Sequence, residues 1–405
     1  MKTFIKTFIC TTLGTALFCQ TANADNWLTE MDNNVYITKL SIPGTHDAAT
    51  GEGFDGTLGS LLGASTAKTQ ELSISAQWDC GIRAFDLRPT VKGDGETSFL
   101  KIFHGIIETK ISFADALGTL RDKLKENPGE FAIVIMRHEN DGDSKKGRPW
   151  TQLMDECLTS EDISEWLIPF KTGLTIGDIR GKILVLSRDS YQNGPVGGYI
   201  TSWSHSDNFT EQRKARISGK DGQGELAMIQ DFYDCTGTDG IDKKKATVTN
   251  LLSESIKLKS RRWVINHTSG YTKSASSDGY RDNAAQINQA AIDWLADNNN
   301  QGPVGIIMMD YAGVDKSKDY DVKGLELTKA VIAQNRKNQE TNGIYNNTTD
   351  NALTVQGRTV TANGNVNAYH VDGRPAAKGH NKIMLPAKGT YIIKAGIKTK
   401  KVTVK

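Results

Sequence analysis

Short apolar runs rich in β-branched residues recur along residues 35–335, separated mostly by stretches long enough for a helix. They end with Ser41-Ile42, Ala84-Phe85, Ile102-Phe103, Val134-Ile135-Met136, Leu184-Val185-Leu186, Met228-Ile229, Val264-Ile265 and Ile306-Ile307-Met308. An open doubly wound sheet would give similar periodicity, but eight such runs are the number that a closed TIM-type (β/α)8 barrel needs. The residues that follow the runs are rich in ionisable and hydrogen-bonding types: His46 and Asp47, Asp86 and Arg88, His104, Arg137 and Glu139, Arg188, Asp231 and Tyr233, Asn266, and Asp310. In a barrel all of these lie on one rim, at the C-terminal ends of the strands, where such barrels build their sites.

Beyond residue 335 the pattern changes. Residues 336–350 are polar, without helical or strand period, and read as a linker. Residues 351–405 then show short alternating runs, Asn365-Val366-Asn367-Ala368-Tyr369-His370, Gly389-Thr390-Tyr391-Ile392-Ile393 and Lys401-Val402-Thr403-Val404, divided by Gly373 and Pro386. A small antiparallel β domain is predicted there.

The first 24 residues add a destination. Lys2 and Lys6, the largely apolar stretch 7–18 and then Ala22-Asn23-Ala24 are in order the charged region, the apolar region and the cleavage site of a signal peptide. A lipoprotein reading through Cys19 is weaker, because Phe18 stands where a small residue is needed. The apolar stretch falls short of the roughly 18 residues a spanning helix wants, and no later segment supplies one. A secreted chain without a transmembrane segment is therefore expected, with residues 25–335 as its barrel. Losing Lys2 and Lys6 takes the net charge of +2 to near zero, so nucleic acid is not an expected partner. Cys80, Cys157 and Cys235 remain after cleavage, an odd number without metal-ligand spacing, and they fit burial as small apolar residues.

The chemistry concentrates in three places. Ser41-Ile42-Pro43-Gly44-Thr45-His46-Asp47 is a strand end turned sharply by Pro-Gly, so that His46 and Asp47 project from the rim. A second histidine follows another run in Phe103-His104-Gly105, and Phe85-Asp86-Leu87-Arg88 lies between them. One histidine alone is most often structural. Two with an arginine form a set with a mechanism: phosphodiester cleavage by an internal hydroxyl needs a base, an acid and a cation for the phosphoryl oxygens. Arginine suits the last task because its planar fork donates two hydrogen bonds and stays charged. A carboxylate beside each histidine would orient the ring, and Asp47, Asp86 and Asp310 are the candidates.

At this point the chain resembles the bacterial phosphatidylinositol-specific phospholipases C. The resemblance rests on the first strand-end block together with Arg83-Ala84-Phe85-Asp86-Leu87-Arg88, Phe103-His104-Gly105, Arg137-His138-Glu139, Gly181-Lys182-Ile183-Leu184-Val185-Leu186-Ser187-Arg188, Ile229-Gln230-Asp231-Phe232-Tyr233 and Met309-Asp310-Tyr311, in the family's order. It implies a distorted β/α barrel acting on phosphatidylinositol or glycosyl-phosphatidylinositol (GPI) lipids at a membrane surface, and a monomer is expected. His46 would be the general base for the inositol 2-hydroxyl with Asp310 bonded to it, His104 the general acid for the diacylglycerol oxygen with Asp47 beside it, and Arg88 the phosphate clamp. The implied products are diacylglycerol and a 1,2-cyclic inositol phosphate. Arg137, Glu139, Arg188, Asp231 and Tyr233 match inositol-binding positions, although Arg137 stands where the family pattern has lysine; Asp86 joins them as a substrate-binding candidate.

No metal or other cofactor is implied. Eukaryotic relatives hold calcium with carboxylates and an asparagine, whereas Asp47 follows the first histidine here and Arg88 takes the place of a calcium-binding carboxylate. Residues 51–66, with Phe54, Leu58, Leu61 and Leu62 among glycines and serines, read either as a lipid-touching lid or as an ordinary packed segment. The tail resembles type IX secretion sorting domains through Tyr369-His370-Val371-Asp372-Gly373-Arg374, Leu385-Pro386-Ala387-Lys388-Gly389-Thr390-Tyr391 and its Lys-rich end, with a small carbohydrate- or lipid-binding module as the competing reading. Two rivals to the phospholipase remain: a glycerophosphodiester phosphodiesterase, which would need a carboxylate-held metal that Arg88 disfavours, and a non-catalytic inositol- or glycan-binding barrel.

Overall fold

The computed structural model describes residues 26–342, 354–395 and 398–404; the signal-peptide stretch lies outside the described residues. The chain divides into two compact units at Asn335. In the first, the strands in chain order are β1 (Ser41–Thr45), β2 (Ala84–Leu87), β3 (Pro89–Lys92), β4 (Phe99–His104), β5 (Ile107–Ser112), β6 (Ala132–Met136), β7 (Ile183–Ser187), β8 (Gly198–Thr201), β9 (Ala215–Ser218), β10 (Gly224–Gln230), β11 (Trp263–His267) and β12 (Gly305–Met309). Nine of them close a barrel in the order β1-β12-β11-β10-β9-β8-β7-β6-β2, and β2 pairs back onto β1. Neighbours are parallel except where β9 runs against β8 and β10.

The barrel inferred from the apolar runs is present, but not with eight strands. Seven of the eight runs are barrel strands, and the short β8 and β9 add two that the runs did not mark. The run ending Ile102-Phe103 lies outside the barrel, in β4 of a three-stranded antiparallel sheet β3-β4-β5. The reason is connection length. A parallel neighbour needs a crossover of a dozen or more residues, whereas only Arg88 separates β2 from β3 and only Gly105-Ile106 separates β4 from β5. Gly105 takes φ +58° in that two-residue hairpin, a left-handed conformation glycine adopts without strain.

The strands β1, β6, β7, β11 and β12 are buried along their whole length, as continuous apolar strands of a covered parallel sheet should be. Helices cover them. In Phe113–Glu126, Phe113, Ala116, Leu117, Leu120 and Leu124 form the buried stripe, Ser112 caps the N-terminus by accepting from the Asp115 amide, and Lys123 and Lys125 sit in the last turn. Gly44 is needed inside the barrel, because a Cβ there would lie 2.5 Å from the Met308 sulfur.

The helix Gly324–Asn342 runs on past Asn335, so residues 336–342 of the expected linker are helical, and 343–350 lie outside the described residues. Arg336, Lys337, Gln339 and Glu340 are good helix formers without an apolar period. Before them, the Asn335 side chain accepts from the Ser41 amide and donates to its carbonyl, both at 2.8 Å.

The second unit is a five-stranded antiparallel sheet: β13 (Thr354–Gln356), β14 (Thr359–His370), β15 (Pro375–Met384), β16 (Gly389–Ala395) and β17 (Lys398–Val404). One face packs Val360, Val366, Ala368, Ile383, Leu385, Tyr391, Ile393, Val402 and Val404 together.

Candidate active site

The site grows from the turn after β1. The His46 amide donates to the Met309 carbonyl at 3.1 Å, and the buried Gln70 side chain donates to the carbonyls of both His46 (2.8 Å) and Met309 (2.9 Å). This backbone clamp fixes the ring's origin. Asp47 then adopts φ +45°, a left-handed conformation that costs energy in a non-glycine residue, and so brings its carboxylate beneath the histidines.

Asp310, directly after β12, accepts from His46 Nδ1 at 2.8 Å and from the Gly270 amide at 3.2 Å. His46 Nε2 faces two groups, Arg88 Nη2 at 2.9 Å and Asp47 Oδ2 at 3.1 Å. With one proton on Nδ1 the ring can accept from Arg88; with a second on Nε2 it can donate to Asp47. The ring is thus met in both protonation states.

Arg88, after β2, spans the centre. Its Nε lies 3.0 Å from Asp47 Oδ1 and its Nη2 3.0 Å from Asp86 Oδ2. Asp86 also accepts from the Asp47 amide at 3.2 Å. Asp86 therefore supports Arg88 from below and is absent from the pocket lining, in contrast to its expected role as a substrate contact. His104 comes in from β4: its Nδ1 donates to the Ala67 carbonyl at 2.8 Å, so Nε2 faces Asp47 Oδ2 at 3.4 Å. The two imidazole centroids are 6.4 Å apart, room for a phosphoryl group between them.

A pocket of about 290 Å³ opens over these residues. His46, Arg88 and His104 line it together with Arg137, Glu139, Arg188, Asp231 and Tyr233, all expected from the sequence. Glu139 pairs with Arg137 Nη2 at 3.0 Å and accepts from the Gly105 amide at 3.1 Å. Asp231 accepts from Trp203 Nε1 at 2.8 Å and contacts His205 Nδ1 at 3.2 Å and His267 Nδ1 at 3.4 Å. The Arg188 guanidinium lies 4.1 Å over the Trp203 ring.

His205, Tyr271, Tyr280 and, behind them, Gln70, Trp203 and His267 were not named as site residues from the sequence. Trp203 and His205 follow β8, four residues too short to stand out as a run, and Tyr280 lies in the first turn of the helix Ser277–Ala296. Asn266 goes the other way: it is buried, accepts from Gln230 Nε2 and donates to the Val248 carbonyl, a structural role.

Electrostatics sort the groups. Burial disfavours a charged His46, but the carboxylates of Asp47 and Asp310 outweigh it and raise its pKa to about 9. Burial also works against the Asp47 carboxylate, yet Arg88, His104 and His46 hold it down at about 2. Burial pushes Asp310 up, with His46 opposing. It likewise lowers Arg188 to about 10 and His267 to about 3, leaving His267 a neutral ring beside Asp231. The one group of three potential metal ligands among the described residues is His46, Asp47 and Asp86, and the Arg88 guanidinium contacts all three.

Fold and site together define a distorted β/α barrel whose rim carries two histidines, an arginine and their carboxylates. Its relatives are bacterial phosphatidylinositol-specific phospholipases C, as the sequence blocks implied. No family model matches the chain. It is 25% identical over 297 residues to the 1-phosphatidylinositol phosphodiesterase of Staphylococcus aureus strain Newman, a match covering 71% of this chain and 88% of that protein. It is 30% identical over 168 residues to the protein of the same name from Listeria monocytogenes, covering 40% and 48% respectively. A crystal structure of the S. aureus phosphatidylinositol-specific phospholipase C with an incorporated pentafluoro-phenylalanine superposes with TM-score 0.61 at 21% identity, over 76% of this chain and 97% of that one. The L. monocytogenes structure gives 0.56 at 21%, over 77% and 98%. These superpositions show a shared fold.

Histidine titration by NMR checks the electrostatics directly. His46 should lose its second proton near pH 9, and Asp310→Asn, which removes a carboxylate that raises the pKa, should move that titration to lower pH. An unshifted His46 in the variant would show that Asp310 does not set its charge.

Proposed function

We propose that this chain is a secreted phosphatidylinositol-specific phospholipase C that cleaves its lipid by internal phosphoryl transfer without a metal. The observation that carries the reading is the contact set of Arg88: one guanidinium reaches the base candidate, the shared carboxylate and Asp86, the place where a cation would otherwise stabilise a phosphoryl oxygen. Export rests on the N-terminal sequence pattern, and no described helix is long and apolar enough to cross a membrane.

In the reaction, the neutral form of His46, the minor form below about pH 9, takes the proton of the inositol 2-hydroxyl and that oxygen attacks phosphorus. The bond from phosphorus to the diacylglycerol oxygen breaks as His104 Nε2 delivers its proton to that oxygen. Diacylglycerol and the 1,2-cyclic phosphate are the products, and the two histidines end with exchanged protonation states. Arg88 donates to the phosphoryl oxygens throughout. Arg137, Glu139, Arg188 and Asp231 face the ring hydroxyls, and Tyr233, half exposed at the pocket edge, offers a ring face.

The lipid side of the site is also supported. Residues 56–66 form the helix Gly56–Thr66, whose Gly59 and Gly63 pack against Phe54; a Cβ on Gly63 would overlap that ring. Leu58, Leu61 and Leu62 are left outward, Leu61 being 75% exposed. The helix ends at Ala67, whose carbonyl holds His104. An apolar helix that borders the general acid suits an enzyme whose leaving group stays in the bilayer.

Phosphorus NMR of phosphatidylinositol vesicles incubated with the protein in excess EDTA should show the cyclic phosphate, and His46→Ala should lower the rate by about 10²–10⁴-fold. Absence of that product with the unmodified protein, or its appearance only on adding calcium, would defeat the proposal. A Leu61→Ser, Leu62→Ser double variant should bind vesicles more weakly while cleaving a water-soluble inositol phosphodiester normally. Equal loss on both substrates would assign these leucines to packing.

A further inference from the structure

The near-zero charge of the exported chain conceals a division. Residues 25–335 carry a net charge of −9, and residues 351–405 carry +9, with ten Lys and Arg against a single acidic residue, Asp372. That carboxylate is engaged at the β14–β15 turn, 2.8 Å from Arg374 Nη2.

The β-sheet sorts its residues by face, because alternate positions of a strand point to opposite sides. With Ile383, Tyr391, Ile393 and Val402 in the core, Lys382, Lys394 and Lys401 fall on the outer face, joined by Lys378 through its register with Asn367 and that of Asn367 with Lys394. All four are exposed, and among the described residues none of them forms an ion pair. Apolar groups are interspersed. Tyr369 has Lys394 Nζ at 5.8 Å from its ring centre, and Met384 follows Lys382 on the same face at 64% exposure. Val371, at the adjoining turn, is equally exposed.

We propose that this outer sheet face docks on an anionic phospholipid bilayer. Charge complementarity selects an anionic partner, since several unneutralised lysines on one face attract a negative surface and repel each other without one. The exposed Met384 and Val371 beside them favour a lipid interface over a hydrated polyanion, because both gain by leaving water when the lysines meet the headgroups. The inference takes from the proposed function only that the substrate lies in a membrane. An acidic barrel of net −9 is repelled by a bilayer rich in phosphatidylinositol, and a basic sheet in the same chain offsets that repulsion.

The test uses the full chain and vesicles of phosphatidylcholine with and without phosphatidylglycerol, which is anionic without being the proposed substrate, so binding is read independently of turnover. The unmodified protein should bind the anionic vesicles in preference and lose that binding at high salt. The K378Q/K382Q/K394Q/K401Q variant should bind them on the order of 600-fold more weakly, at about fivefold per lysine. Its hydrolysis of a water-soluble inositol phosphodiester should be unchanged. Equal binding of the unmodified protein to neutral and anionic vesicles, unchanged binding by the variant, or binding to dextran sulfate but not to vesicles would each overturn the proposal. Salt sensitivity of the unmodified protein decides the matter if the variant fails to fold.

Discussion

One guanidinium holds the site together. Arg88, its side chain 11% exposed, lies between Asp47, Asp86 and His46, and every one of its contacts constrains another candidate site residue. Asp86 fixes the arginine and the Asp47 amide at once. Asp47, drawn down to the arginine, presents its other oxygen to both histidines. A charge so largely withdrawn from water must be compensated, and Asp47, one of the carboxylates that compensate it, joins Asp310 in raising the pKa of His46. The arrangement therefore couples the cation that would bind phosphate to the proton inventory of the histidines.

The distortion of the barrel serves this arrangement. The chain leaves β2 at Leu87 and begins β3 at Pro89, with Arg88 as the hinge between them. The Phe103 amide donates to the Arg88 carbonyl at 3.1 Å, so the antiparallel excursion returns His104 to within reach of Asp47. A regular eight-strand barrel would have carried His104 on a barrel strand of its own. Here the two histidines come from different kinds of sheet, one mostly parallel and closed, the other antiparallel and open.

Much of this was legible in the residues, for a physical reason: fully buried parallel strands must be continuous apolar runs, and rim residues must follow them. Seven runs and the positions of His46, Arg88, Arg137, Glu139, Arg188, Asp231, Tyr233 and Asp310 follow from that rule. His104 was picked out although its strand was assigned to the wrong sheet, because the local signal, a histidine after an apolar run, is the same in both. Gly198–Thr201 and Ala215–Ser218 escaped notice because four residues carry too little periodicity. Gln70, His267 and Tyr280 act through contacts between distant segments, and no local pattern marks them. The helical residues 336–342 were missed because a polar helix end has propensity but no apolar stripe.

The central claim is that the nucleophile belongs to the lipid itself, a hydroxyl deprotonated by His46 in a site where Arg88 supplies the charge. Phosphatidylinositol methylated at the inositol 2-oxygen tests it most directly, because the analogue keeps the phosphate and the other hydroxyls but cannot form the cyclic ester. It should compete with phosphatidylinositol for the site and release no diacylglycerol. Release of diacylglycerol from it at a rate near that of the natural lipid would mean that water attacks phosphorus, and would contradict the internal-transfer mechanism.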